Sequence, residues 1–232
     1  MALSDWVINK SSPTEVIVGV DPTSSKILVG TGSLHLIDLD NSTMNMYNST
    51  YSRGLTRGRM RMLIRLEDAA FGDDSYAIGM YIMADGDNIT IGDSFGRKFY
   101  SYALTYDVNT TSHRVELQYH DDGIEDSPLT ICQTGQFTLT RGQDVVPLEV
   151  EWKLESEFGP GIRFTPRTSI VPSILTDFSN LTDIDDFVYN DPTTTLVVAS
   201  SEGLYFEGIG GSFPSGLDAI IDQVSIFSLT PA

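Results

Sequence analysis

The chain has 232 residues, 41% of them apolar and 10% aromatic, enough for a sizeable core and too much for a disordered protein. Its 32 acidic against 14 basic residues leave a formal net charge of −18, a field that repels nucleic acid and anionic membrane while favouring cations. Cys132 stands alone, which excludes an intrachain disulfide and a thiolate metal cage, and no stretch approaches the roughly 20 apolar residues of a membrane span.

Short strands are predicted at Glu15–Val20, Lys26–Val29 and Ser33–Asp38, with Asp21-Pro22 as a turn. Arg59–Glu67 carries the clearest alternation. Met60, Met62, Ile64 and Leu66 fall on one side, and Arg59, Arg61, Leu63, Arg65 and Glu67 on the other. Successive side chains of a strand point to opposite faces, so one face is buried and the other is basic and wet. Arg53, Arg57, Arg59, Arg61 and Arg65 lie in an acid-free stretch of an acidic chain. That patch is a candidate docking point for an acidic partner; pairing with carboxylates on adjacent strands is the alternative.

Tyr76–Ala84 and Asn88–Ile91 are predicted to form a hairpin across Asp85-Gly86-Asp87. Asp85, Asp87 and Asn88 offer hard oxygen ligands for calcium, although Asp-Gly is also an ordinary hairpin turn. Strands follow at Tyr100–Asp107, Arg114–His120, Leu129–Cys132 and Gln136–Thr140, and the flanks of Cys132 suggest a small buried apolar residue. Tyr47, Tyr51, Tyr100, Tyr102 and Tyr119 would serve either as a sugar-stacking platform or as strand packing. His35, His113 and His120 are widely separated, and His120-Asp121-Asp122 reads equally as a metal site or as a strand running into a turn.

Pro147–Glu155 sets Glu149 and Glu151 opposite Leu148, Val150, Trp152 and Leu154. Glycoside hydrolysis with retention uses two carboxyls about 5–5.5 Å apart, a spacing that alternate strand residues can reach. A solvated acidic face explains the same pair. After Gly161–Thr168, the residues Leu175, Phe178, Leu181, Ile184 and Phe187 recur every three positions, which predicts one or two helical turns in a long crossover loop at 170–194. Strands at Thr195–Ala199, Gly203–Glu207 and Ile220–Leu229 complete the set. Asn9, Asn41, Asn48, Asn88, Asn109 and Asn180 sit in Asn-x-Ser/Thr, read here as turn chemistry.

Gly203-Leu-Tyr-Phe-Glu-Gly208, a glycine-rich loop and then Ala219-Ile-Ile-Asp222-Gln-Val224-Ser-Ile226-Phe227 resemble the closing hairpin of concanavalin A-like, laminin G-type jelly rolls. The resemblance covers about thirty residues. It implies one convex and one concave sheet, with ligands on the concave face or a loop rim. In jelly-roll glycoside hydrolases two acidic residues share a concave strand in a Glu-x-Asp pattern, from which Glu149 and Glu151 depart.

The expected fold is all-β: an antiparallel two-sheet jelly-roll sandwich forming a single domain over 1–232. The first expectation for function is a non-enzymatic structural component of a large assembly, a bacteriophage virion decoration, fibre or tail protein. It would be homo-oligomeric, bound to other virion proteins through the arginine patch, and made in the host cytoplasm, since Met1–Lys10 lacks a signal sequence. The alternative is a carbohydrate-binding module for a cell-surface or matrix glycan, and a second alternative a glycoside hydrolase or lyase using Glu149 and Glu151. Calcium is the one cofactor considered.

Overall fold

The computed structural model describes residues 6–10, 16–21, 33–38, 43–48, 54–67, 75–86, 89, 98–107, 109–121, 128–155, 161–169, 177–184, 187–189, 201–209 and 217–229. Fifteen strands are formed by them, and no helix. The first nine are β1 (Trp6–Lys10), β2 (Val16–Asp21), β3 (Ser33–Asp38), β4 (Thr43–Asn48), β5 (Arg57–Leu66), β6 (Ser75–Ala84), β7 (Phe99–Asp107), β8 (Ser112–His120) and β9 (Leu129–Gln133). The rest are β10 (Val145–Glu155), β11 (Gly161–Thr168), β12 (Thr182–Asp183), β13 (Phe187–Tyr189), β14 (Ser201–Ile209) and β15 (Leu217–Ser228).

Two antiparallel sheets result. The seven-stranded sheet runs β1-β4-β14-β6-β7-β8-β9; the eight-stranded one runs β12-β11-β10-β5-β15-β3-β2, with β13 also on β11. The alternation of β5 does what its sequence requires: Met60, Met62, Ile64 and Leu66 are buried between the sheets. They meet Met44, Met46, Ile78, Met80, Leu104, Leu117 and Leu204 of the opposite layer. One continuous apolar core thus joins the two inner faces, as a sandwich demands.

Polar ties cross the core as well. The buried carboxylate of Glu202 on β14 accepts backbone N–H groups of Gly54, at 3.1 Å, and Leu55, just before β5. Within the eight-stranded sheet, Trp152 on β10 donates its indole N–H to the carbonyl of Leu55, just before the neighbouring β5, at 2.7 Å. Tyr102 on β7 donates to the Arg167 carbonyl at 2.8 Å, and burial holds its phenol well above its ordinary pKa, so it stays a donor.

Four expectations change. β14 and β15 are not a hairpin: β14 lies between β4 and β6, and β15 between β5 and β3 in the other sheet, so the segment joining them is a crossover. β6 pairs with β7, Ile82 opposite Tyr100, and of the expected partner strand 88–91 only Ile89 lies within the described residues, outside any strand. Here Asp85 closes a longer loop, its N–H donating to the Lys98 carbonyl at 2.9 Å. The described part of the 170–194 loop carries β12 and β13 on the edge of β11, not helical turns, because backbone pairing with an open edge satisfies more groups than an isolated turn. Gln136–Thr140 is no strand; Phe137 makes one isolated bridge with His113. The expected strands at 26–29 and 195–199 lie outside the described residues. Of the Asn-x-Ser/Thr asparagines, Asn109 and Asn180 occupy turns, Asn9 and Asn48 lie in strands, and 41 and 88 are not described.

Candidate functional site

Strand register builds a polar row on the outer face of the seven-stranded sheet. Glu207 on β14 faces Ala77 on β6, Ala77 faces Thr105 on β7, and Thr105 faces Arg114 on β8. Along β8 every second residue shares that face, so Ser112, Arg114, Glu116 and Gln118 stand together while Val115, Leu117 and Tyr119 enter the core. Small Ala77 leaves a gap between Glu207 and Thr105. A cleft of about 460 Å³ opens there, reaching from Glu207 across Thr105 and Asp107 to Glu116 and Gln118.

Its walls are held by hydrogen bonds. The Gln118 side-chain amide donates to Glu116 at 2.7 Å, and Arg114 Nη1 stands 3.8 Å from the same carboxylate. Burial raises the pKa of Glu116; Arg114 opposes the rise and Asp107 adds to it. Asp107 goes the other way, because the Asn109 backbone N–H at 2.9 Å and side-chain amide at 3.1 Å hold its carboxyl below the ordinary range. Carboxylates, a guanidinium, an amide and the Ser75, Thr105 and Ser112 hydroxyls together offer both donors and acceptors, the set that polyhydroxylated ligands need.

Beside the cleft the outer face is aromatic and closed. Tyr81, Phe99 and Tyr205 form a buried cluster with Ile89, from the β6–β7 connection, and Tyr47 packs against it. The Tyr81 ring lies over Gly203, where an added Cβ would come within 2.7 Å of it. His120 stacks on Phe99 with centroids 4.1 Å apart and shares a 3.0 Å hydrogen bond with Ser101. Both members of this serine–histidine pair are 0% exposed, so no substrate reaches it.

The residues singled out from sequence lie elsewhere. Arg57, Arg59, Arg61 and Arg65 share the outer face of the eight-stranded sheet, opposite the cleft; 53 is not described. Arg59 pairs with Glu151 at 2.6 Å and Arg65 with Glu67 at 2.6 Å. The Arg61 guanidinium lies between Phe178, at 4.7 Å, and Phe227, at 5.2 Å from the ring centroids. Glu149 and Glu151 both accept from Arg167 Nη1 at 3.0 Å, and Arg167 Nε donates to Asp183 at 2.7 Å. Their face is thus an ion-pair lattice running from Asp183 to Arg59.

Asp85 gives one carboxylate oxygen to the Lys98 N–H at 3.0 Å; 87 and 88 lie outside the described residues. Among the described residues no three His, Cys, Asp or Glu side chains gather as metal ligands. His35 contacts Asp218 at 2.5 Å, and His113 meets Tyr76. Tyr100, Tyr102 and Tyr119 point into the core, so they form no sugar platform. The cleft itself went unseen in the sequence. Its one local signal is the alternation of Arg114, Glu116 and Gln118 with apolar neighbours, which marks a wet face but not a concave one.

No family model matches the chain, and no curated protein matches it. Among solved structures it is similar to the VIP36 exoplasmic/lumenal domain in its Ca2+/Man3GlcNAc-bound form, with TM-score 0.55 and 14% identity over 100% of this chain and 86% of that one. The legume lectin-like domain from Entamoeba histolytica gives 0.54 and 9%, over 98% and 92%. The cellulose induced protein Cip1 gives 0.53 and 14%, over 99% and 94%. At these identities the likeness is one of fold: the protein has the concanavalin A-like two-sheet sandwich.

Proposed function

We propose that this protein is a non-enzymatic carbohydrate-binding module that holds its ligand on the outer face of the seven-stranded sheet, in the cleft between Glu207 and the Arg114–Gln118 edge. The cleft carries this reading, because fixed donors and acceptors there line a concavity of about 460 Å³. The fold supports it: the VIP36 domain shares this sandwich and has been seen in Man3GlcNAc-bound and Man2-bound forms. Glu149 and Glu151 speak against hydrolysis, since guanidinium donors occupy both. Binding of the intact protein to an array of immobilised glycans tests the reading. One or more glycans should bind wild type, and Gln118→Ala should lose them; retained binding in that variant would remove the cleft from the account.

Calcium at Asp85, Asp87 and Asn88 belongs to the same proposal. VIP36 has been seen with Ca2+, and Asp85 lies beside Gly86 in the loop after β6. A rise in Tm on adding calcium, abolished by Asp87→Ala, would support it.

Membership of a virion, or of another homo-oligomeric assembly, is the second reading. One observation favours it: the arginine-bearing face of β5, with Phe227 39% exposed beside it, lies on the opposite sheet from the cleft. Anchoring and ligand display would then use separate faces. Arg57→Glu should dissociate oligomers in light scattering without altering glycan binding.

A further inference from the structure

We propose that the outer face of the eight-stranded sheet carries a binding site separate from the cleft, for an organic monocarboxylate, in which the Arg61 guanidinium receives the carboxylate and the Phe178 and Phe227 rings its apolar body. Within Arg59–Arg65, Arg61 is the one arginine without a carboxylate partner among the described residues, since Arg59 holds Glu151 and Arg65 holds Glu67. Register sets Glu149 directly opposite Arg61, yet Glu149 pairs with Arg167 at 3.0 Å. Arg61 is held instead against the two rings, 4.7 and 5.2 Å from their centroids. Its Nε is buried and donates to no acceptor among the described residues. A buried N–H left without an acceptor is costly, and a bound anion is one of the few groups that answers it.

The neighbouring strand adds a second polar group. Ser225 on β15 faces Arg61 from the side opposite Glu149. A β-bulge between Asp222 and Ser225 puts it there, and Gln223 takes a φ of 53° to make the bend. The Ser225 hydroxyl reaches the Gln223 carbonyl at 3.4 Å, a long bond that it can exchange for a ligand oxygen. The planar fork of guanidinium N–H donors matches the two oxygens of a carboxylate. Rings that shield the guanidinium from water strengthen its pull on an anion. Phe227, 39% exposed, sets apolar surface beside that charge, which favours a carboxylate on an apolar body over an inorganic ion. Glu149 stands opposite Arg61, Asp222 opposite Leu63 and Asp177 beside Phe178, so a dianion such as phosphate meets about twice the repulsion that a monocarboxylate does.

Titration of the intact protein, with 15N-labelled arginine, against N-acetylphenylalanine, its amide and inorganic phosphate tests this, read at the Arg61 Nε–H resonance and by calorimetry. The acid should move that resonance and bind about tenfold more tightly than the amide or phosphate. Arg61→Lys keeps the charge without the fork and should lose about tenfold in affinity. Phe227→Ala, at an exposed position, should lose as much with Tm unchanged. Lys153→Gln removes a cation from an exposed position of the same face and should bind like wild type. A peptide ending in a free Phe carboxylate separates two sources of the group: tighter binding than N-acetylphenylalanine assigns the site to the chain terminus of a partner protein, and equal or weaker binding to a small acid. Equal binding of acid and amide, full binding by Arg61→Lys, an equal loss in Lys153→Gln, or no response to the acid would overturn the inference. The cleft lies on the other sheet, so each of these outcomes leaves the carbohydrate reading standing.

Discussion

The side-chain amide of Gln118 donates to the Glu116 carboxylate at 2.7 Å from two positions along the same face of β8. The contact fixes both side chains at the cleft wall, but it forms where burial disfavours charge on Glu116. A carboxyl whose folded-state pKa is raised holds its proton more tightly folded than unfolded. Stability is therefore fullest below the ordinary value of 4.5 and falls as pH rises through the raised folded value. Glu116→Gln should accordingly raise Tm at pH 8 and leave it unchanged at pH 4. At the same time it should weaken glycan binding at neutral pH, trading function for stability. A lower Tm at pH 8 would show the charge to be supported by its neighbours.

His113 supplies the opposite acid response. Burial, together with the Arg141 charge, pushes its pKa down to about 4 from 6.5. The folded protein thus binds fewer protons than the unfolded chain between those values, and stability falls as pH drops from 6.5 to about 4. The full effect is about 3 kcal/mol. Urea titrations at several pH values should show this decline, flattened in His113→Gln, which keeps an acceptor for the Tyr76 hydroxyl.

Gly79 on β6 has no room for a side chain. A Cβ there would lie 2.5 Å from Ala103 Cα and would also meet the Tyr102 carbonyl, both backbone of the neighbouring strand. Gly79→Ala should cost about 3 kcal/mol or more, because the central pairing of β6 and β7 must shift to admit it. Gly135→Ala, with nothing within 4 Å of the added atom, is the matched control and should melt like wild type.

Arg167 joins Glu149, Glu151 and Asp183. Glu149 is 6% exposed, so Arg167→Met strands a buried carboxylate and should cost about 3 kcal/mol. Adding Glu149→Leu to that variant should recover most of the loss. Asp183 is too exposed for its own pair to matter much. If the double variant is no more stable than the single one, the ion-pair lattice is held by something other than this contact.

Much of the architecture was legible because burial writes itself into alternation. Met60, Met62, Ile64 and Leu66 announce an inner face, and β3 and β11 begin and end where their patterns do. β4 escaped, since Asn41 before it and Asn48 at its end read as turn chemistry; its Asn45 and Tyr47 face the outer side while Met44 and Met46 enter the core. The strands of 203–227 were visible, but a local pattern cannot tell a hairpin from a crossover, and β14 and β15 belong to different sheets. The cleft was hidden for a related reason. Glu207 meets Arg114 only through two intervening strands, a neighbourhood set by sheet order rather than by spacing along the chain.

Backbone amide shifts, followed by NMR while a bound glycan is titrated in, test the central claim most directly. Binding at the outer face of the seven-stranded sheet predicts perturbations concentrated at Ala77, Thr105, Arg114, Glu116, Gln118 and Glu207. Perturbations centred instead on Arg59, Glu149, Glu151 and Arg167 would place the ligand on the other sheet and contradict the account.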